Sequence, residues 1–337
     1  MVSTVEDTET YPLTTREGWR AFVDADTDVP TLSPASASAD QKAADDQARL
    51  DYHARLVVVA TPTIRQVFAA GRRLILLNRH QISARRGLVV AGATGTGKTT
   101  AITQLGRNHE LLQRQRLGTD PGRLPVVYVT VPPAATPKML AIEFARFLAL
   151  PASPRESQTS ITNMVCDVLC RLRTELVLVD EIHNIRLATR IGAEASDQLK
   201  YLGERIPATF VYSGLGVDGL FSGLRGQQLA GRFGLLESLP FPYGTAPQRS
   251  QWQALVATLD DAIRLHRHRT GSLLQHDQYL HQRTRGMIGS LSHLIRGAAM
   301  EAILDGTEKI TRKTLAGIQL DNAAETAPMP TPSRRAR

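Results

Sequence analysis

The sequence predicts an α/β fold, a parallel sheet flanked by helices, followed by a smaller helical domain, and three observations carry that expectation. Short apolar runs of strand length alternate with longer segments of helical periodicity between residues 61 and 239, the pattern of successive β–α units in a parallel sheet. The first of these runs ends in a glycine-rich octapeptide, Gly92-Ala93-Thr94-Gly95-Thr96-Gly97-Lys98-Thr99. Beyond residue 247 only helical spacing remains, with Gly286 and Gly306 between the segments.

Length and composition agree with this frame. A chain of 337 residues can hold one large core and a smaller one, and 42% hydrophobic content is ordinary for a folded protein. No apolar run approaches the roughly 18 to 20 residues needed to span a bilayer. Residues 1–28 are acidic and polar, without the basic-then-apolar order of a secretory signal, so the expected location is the cytoplasm. Net charge is +8, but residues 1–50 hold ten acidic against four basic side chains, which leaves +14 on residues 51–337. A body that basic points to a polyanionic partner. The acidic leader, with its Ser33-Pro34-Ala35-Ser36-Ala37-Ser38-Ala39 stretch, has the composition of a disordered arm.

Order is expected to return near residue 51. Thr61-Pro62 supplies a cap and a proline at the first helical position, and Ile64, Val67, Phe68, Leu74, Ile75 and Leu77 follow at helical spacing. Gly87-Leu88-Val89-Val90-Ala91 reads as a buried strand, and Thr99 opens a helix. The octapeptide between them fits G-x-x-x-x-G-K-[ST]. Glycines without Cβ let the backbone curl around a phosphate chain with its N–H groups inward, and the helix directs its positive end at the same anions. The ligand is therefore ATP or GTP. Lys98 is placed to reach the β- and γ-phosphates, Thr99 to hold Mg²⁺, and Thr100 completes the nucleotide-binding set.

A second strand covers residues 125–131 and is closed by Pro132-Pro133, and a helix covers 138–150. A Pro/Ser-rich turn leads to a helix over 161–173 carrying the only two cysteines, Cys166 and Cys170, read as helix-packing residues. Then Leu176-Val177-Leu178-Val179 ends in Asp180-Glu181. A strand buried on both faces places Asp180 at its C-terminal edge to hold Mg²⁺ and Glu181 just beyond it to orient and activate water. That pairing marks a hydrolase and argues against a kinase. The next strand, 208–212, ends in Ser213-Gly214; between the first and third strands, Ser213 would sense the γ-phosphate and the attacking water. After Gln228-Leu229-Ala230-Gly231-Arg232-Phe233, a fifth strand covers 235–239. An arginine just before the last strand lies at the domain edge, so Arg232, with Arg225 as its rival, is placed to complete a neighbouring subunit's site. Such a finger is worth roughly 10³ to 10⁵ in rate.

The glycine-rich octapeptide, Val179-Asp180-Glu181-Ile182-His183-Asn184, Ser213-Gly214 and Leu229-Ala230-Gly231-Arg232-Phe233 together resemble the AAA+ ATPases. Within them the chain looks most like the TniB family, ATP-binding transposition proteins related to TnsC, over residues 55–320. The resemblance implies a five-stranded parallel sheet in the order 5-1-4-3-2 and a C-terminal helical lid. It implies ATP as the ligand and oligomeric rings or filaments on duplex DNA without sequence specificity, while a departure from the family pattern in the lid, Gly286-Met287-Ile288-Gly289, points to slow switch-like hydrolysis. It also implies partners, a target-selector protein and a DDE-type transposase. A helicase loader or replication initiator shares the fold, and a nucleotide-gated signalling scaffold that does not bind DNA is the alternative of another class.

The expected organisation is a disordered acidic arm (1–50), an AAA+ nucleotide-binding domain (51–246), a helical lid (247–322) and a disordered basic tail (323–337) ending in Arg334-Arg335-Ala336-Arg337. Lid helices are expected over 247–265, 272–285, 288–304 and 311–320. Where many AAA+ lids carry a phosphate-contacting arginine, this chain has Gly286-Met287-Ile288-Gly289, with Arg285 and Arg296 as substitutes. For DNA the candidates are Lys138, Arg186 and Arg190 in channel-facing loops and Arg107, Arg114 and Arg116 after the phosphate-loop helix. Such a surface would follow the phosphate backbone, with binding that weakens steeply as salt rises.

Overall fold

Five parallel strands occupy the centre of the chain: β1 (Gly87–Ala91), β2 (Val126–Thr130), β3 (Leu176–Asp180), β4 (Thr209–Gly214) and β5 (Phe233–Glu237). Their order in the sheet is β2-β3-β4-β1-β5, the 5-1-4-3-2 order that the resemblance implies. In this computed structural model the described residues are 11–25, 29–32, 38–55, 57–153, 155–186, 189–216 and 231–321. Strands β1 to β4 are apolar almost throughout and buried, as a parallel sheet covered on both faces requires, whereas β5, at one edge of the sheet, is largely exposed.

The chain folds as two compact units, Met1–Ala25 with Pro62–Thr94 and Lys98–Ser238, and Asp26–Thr61 with Gly95–Gly97 and Leu239–Arg337. The segment expected to be a disordered arm carries two helices, α1 (Arg16–Asp24) in the first unit and α2 (Ala39–Ala54) in the second. That expectation is corrected for these residues. In α1 the Thr15 side chain accepts the Gly18 N–H as an N-cap, and Trp19 and Val23, four apart, are buried. In α2 a capping box joins Ser38 and Gln41, and the buried side chains are Arg49, Tyr52 and His53. Acidic, alanine-rich composition hid both, because α1 is seated by one aromatic side chain and α2 largely by polar groups.

Helices α3 (Pro62–Asn78), α4 (Lys98–Leu117), α5 (Pro137–Phe147), α6 (Gln158–Arg171) and α7 (Arg190–Arg205) complete the first unit. Sequence reading left α7 out, and its composition explains why. Its buried face is Gly192, Ala195, Gln198, Leu199 and Leu202, too small and polar to show an apolar period. Cys166 is buried on α6 and Cys170 is exposed; both thiols are free.

The second unit adds α8 (Ala246–Asp261), a 3₁₀ turn (Ser272–His276), α9 (Asp277–Thr284), α10 (Ile288–Leu304) and α11 (Arg312–Gly317). Trp252, Leu259, Leu280, Leu291, Leu294 and Leu315 lie in its core. The segment expected to be one helix over 272–285 divides into the turn and α9. Within this unit the Gly289 N–H donates to the Gly95 carbonyl at 2.8 Å, and a Cβ at 289 would lie 3.1 Å from Gly95. No helix of the described residues is long and apolar enough to cross a membrane.

Candidate functional site

In parallel strands, residues paired in register point to the same face. Thr130 pairs with Asp180, Val179 with Tyr212, and Val90 with Ser213, so Thr130, Asp180, Ser213 and Val90 form one row across the strand ends. The glycine-rich octapeptide leaves β1 two residues beyond that row and opens α4 at Lys98. Gly95 (φ 81°) and Gly97 (φ 90°) adopt left-handed backbone, available to glycine without a Cβ penalty. Lys98 Nζ donates to the Ala93 carbonyl at 2.8 Å. Burial lowers the Lys98 pKa, and the nearby Asp180 and Glu181 carboxylates oppose that shift.

Asp180 is 2% exposed and accepts three hydrogen bonds. Thr99 Oγ1 donates to Oδ2 at 2.6 Å, Tyr128 Oη to the same oxygen at 3.2 Å, and the Glu181 N–H to Oδ1 at 2.9 Å. A threonine hydroxyl and a carboxylate are both hard oxygen donors. Among the described residues no group of three or more His, Cys, Asp or Glu side chains could hold a metal by itself. This donor set fits Mg²⁺, which is typically held by one or two protein oxygens and completed by phosphates and water.

Glu181 has left-handed backbone (φ 57°, ψ 35°) at the start of the 3₁₀ turn Ile182–Asn184, a conformation that costs a non-glycine residue energy and gathers at functional sites. Its Oε2 lies 3.3 Å from His183 Nε2, and His183 Nδ1 accepts the Leu215 N–H at 3.4 Å. With Nδ1 accepting, the ring proton belongs on Nε2, facing Glu181. Ser213 is fully buried, and its Oγ has no hydrogen-bond partner among the described residues. As β4 lies between β1 and β3, Ser213 stands between the ends of those two strands.

Arg232 lies at the other end of the sheet. Its carbonyl accepts the Gly87 N–H where β1 and β5 begin. About five strand residues, or roughly 16 Å, separate it from the octapeptide, beyond the reach of its own side chain. The guanidinium pairs with Glu204 of α7, both about one-third exposed, and lines a cavity with Arg85, Arg86 and Lys200. Arg225 lies outside the described residues, as does the basic tail.

Sequence reading missed Tyr128 and His183. His183 stands in the Asp-Glu-Ile-His-Asn segment, where a bond to Glu181 could have been sought; nothing in the apolar run of β2 marks the Tyr128 hydroxyl. Two DNA candidates are engaged elsewhere: Arg107 donates to the carbonyls of Val23 and Ala25, and Arg114 pairs with Asp24 and Glu110. Arg116 and Arg186 are exposed, Arg190 is 89% exposed beside Glu194, and Lys138 is half-buried. Of the lid arginines, Arg296 donates to the carbonyls of His53 and Ala54, and Arg285 ends α9 in left-handed backbone.

The chain is similar to the Aeropyrum pernix ORC1 protein in complex with DNA, at 18% identity and a TM-score of 0.57 over 79% of this chain and 66% of that one. It is similar to the Aeropyrum pernix ORC2 protein in ADPNP–ADP complexes, at 14% identity and 0.54 over 75% and 65%. Drosophila ORC bound to DNA gives 14% identity and 0.53 over 89% and 72%. The chain thus spans slightly less than two thirds of the length of the first two. These likenesses are of fold, and the fold is that of the AAA+ P-loop ATPases. Comparison with curated proteins gives no match. The family model described as bacterial TniB protein matches residues 49–241, more than half of the chain and every residue of the site just described, and the chain belongs to the TniB family.

Proposed function

We propose that this chain is a cytoplasmic ATP hydrolase that regulates DNA transposition, binding ATP with Mg²⁺, assembling with its own copies on duplex DNA, and linking a target selector to a DDE-type transposase. The observation that carries the nucleotide reading is the 2.6 Å contact between Thr99 Oγ1 and Asp180 Oδ2 beside the glycine-rich turn. Two sequence-distant hard oxygens meet there at hydrogen-bond distance, near enough for one small cation to take the place of the shared proton. Family membership carries the transposition reading.

In this reading the backbone of Gly92 to Thr99 cradles the phosphates, with Thr100 beside it in the first turn of α4. Lys98 exchanges the Ala93 carbonyl for phosphate oxygens. Mg²⁺, held by Thr99 and Asp180, would neutralise charge on the phosphates when bound. Glu181 orients the attacking water, and the His183 Nε2–H fixes one of its carboxylate oxygens. Ser213, a buried hydroxyl in the Asp180 row, supplies a hydrogen bond toward the γ-phosphate side. Arg232, remote from its own octapeptide, serves a neighbouring copy. Arg296 is bound to backbone carbonyls and Gly289 has no side chain, which supports slow, switch-like turnover.

Electron microscopy of the full chain with duplex DNA and a slowly hydrolysed ATP analogue tests the proposal. Rings or filaments are expected with the analogue, and also with ATP when Glu181→Gln slows hydrolysis by roughly 10² or more. Absence of both rejects the assembly. A replication initiator would assemble likewise, so transposition is tested by ATP-dependent capture of a DDE-type transposase on the coated DNA. Assembly with ATP but no DNA binding at moderate salt would favour a signalling scaffold.

A further inference from the structure

Trp19 of α1 is fully buried, and its indole stacks on the Tyr128 ring with centroids 6.1 Å apart and planes 13° from parallel. The indole Nε1–H donates to Glu110 of α4 at 2.5 Å, and Glu110 also receives Arg114 at 2.6 Å. Both ends of the indole are thus specified, the ring by stacking and the polar atom by a charged acceptor. Gly106 makes the slot possible. A Cβ there would meet Trp19 Cη2 at 2.7 Å and Leu178 Cδ1 at 2.8 Å. The seat for α1 is therefore on α4, whose first residues are Lys98 and Thr99, and about two helical turns separate Thr99 from Gly106.

Tyr128 connects this slot to the proposed metal site. Its hydroxyl donates to Asp180 Oδ2, the oxygen that also takes Thr99 Oγ1. A phenol carries its proton at neutral pH, so the Tyr128 hydroxyl donates to that anion. A carboxylate on a strand end can rotate about its terminal torsion, a broad and soft coordinate. A fixed O–H on Oδ2 and the Glu181 N–H on Oδ1 together hold its plane.

We propose that Tyr128 is a positioning residue for Asp180 and that Trp19 holds Tyr128 in place, so that the docking of α1 sets how readily the nucleotide site takes magnesium. The proposal rests on Asp180 being a magnesium ligand, as read above. It gives the N-terminal segment a task at the ATP site: a partner that drew α1 away would raise the Mg²⁺ requirement with no contact to the nucleotide.

The test is a Mg²⁺ titration of the binding of a fluorescent ATP analogue to the full chain. Tyr128→Phe keeps the stacked ring and removes only the hydroxyl. Its half-saturating Mg²⁺ concentration is expected to rise roughly ten- to a hundredfold, the worth of one hydrogen bond to a charged group, with Mg²⁺-free nucleotide affinity unchanged. Asp180→Asn should largely abolish the Mg²⁺ dependence, and Tyr128→Phe should add nothing in that background. Trp19→Leu and Gly106→Ala, which remove or displace the indole by independent routes, should each shift the titration in the same direction. A wild-type titration for Tyr128→Phe, with Asp180→Asn defective, overturns the positioning role and leaves the ligand reading intact. A wild-type titration for Asp180→Asn overturns the ligand reading itself. Wild-type behaviour of both Trp19→Leu and Gly106→Ala overturns the link to α1.

Discussion

His53 is a buried histidine among arginines. Its Nε2 accepts the Arg264 N–H at 3.2 Å, and desolvation, with the charges of Arg49, Arg264 and Arg296, lowers its pKa from 6.5 to about 4. Between those values the unfolded chain binds a proton that the folded chain refuses. The contribution to stability is therefore complete above pH 6.5 and lost as pH falls toward 4, by up to about 3 kcal/mol. Urea midpoints at pH 7.5 and 4.5 are expected to differ less in His53→Gln than in wild type; an equal difference would reject the buried neutral ring. Among the site residues, those in spacing motifs were legible from sequence: Gly92 to Thr99, Asp180 and Glu181 each belong to a pattern that the chemistry imposes on consecutive positions. Tyr128 was not, because only the sheet register brings its hydroxyl to Asp180, and His183 was not, because its contact with Glu181 depends on the left-handed turn there, which no residue type in the segment marks.

Elements sort in the same way. Strands β1 to β4 and most helices of both units were legible because each buries a continuous apolar run or stripe, whereas α1, α2 and α7 were hidden by polar or small-residue packing. Arg49 of α2 is 1% exposed and meets Glu308 through two bonds of 2.7 and 2.8 Å, with Asp46 at 2.5 Å and the Arg264 carbonyl at 3.3 Å. A guanidinium with that many partners works as a core residue, yet in sequence it is one more charge in an acidic leader. Arg49→Ala strands the partly buried Glu308 carboxylate and should destabilise the second unit by about 3 kcal/mol, read as a fall in denaturant midpoint. A change under about 0.5 kcal/mol, the range of ordinary surface substitutions, would return the pair to the surface class.

For the whole molecule, the uneven charge gains a partial explanation. Asp24 pairs with Arg114, and Asp46 with Arg49, so some of the leader's acids neutralise arginines at helix seats. Of the arginines expected to meet DNA, Arg107 and Arg114 are held by partners within the chain, whereas Arg116, Arg186 and Arg190 are exposed. Assembly itself is tested by mixing subunits: Lys98→Ala and Arg232→Ala proteins should each be nearly inactive alone, and their mixture should recover part of the hydrolysis rate, since some interfaces join an intact octapeptide to an intact arginine. Equal inactivity of every mixture would place the finger elsewhere.

The Arg232–Glu204 pair bears on how such an interface forms. A free arginine side chain carries about 2 kcal/mol of rotamer entropy, and one already resting on its own carboxylate has surrendered part of it before any second copy arrives. An exposed pair of this kind holds with only about 0 to 1 kcal/mol. The side chain is therefore parked, ordered enough to dock quickly and held loosely enough to change anions, and a passing carboxylate offers it nothing that Glu204 does not. In the proposed assembly only an anion of higher charge would tip the exchange, and Arg232 would then work as a comparator that measures a neighbour's phosphate against a built-in reference.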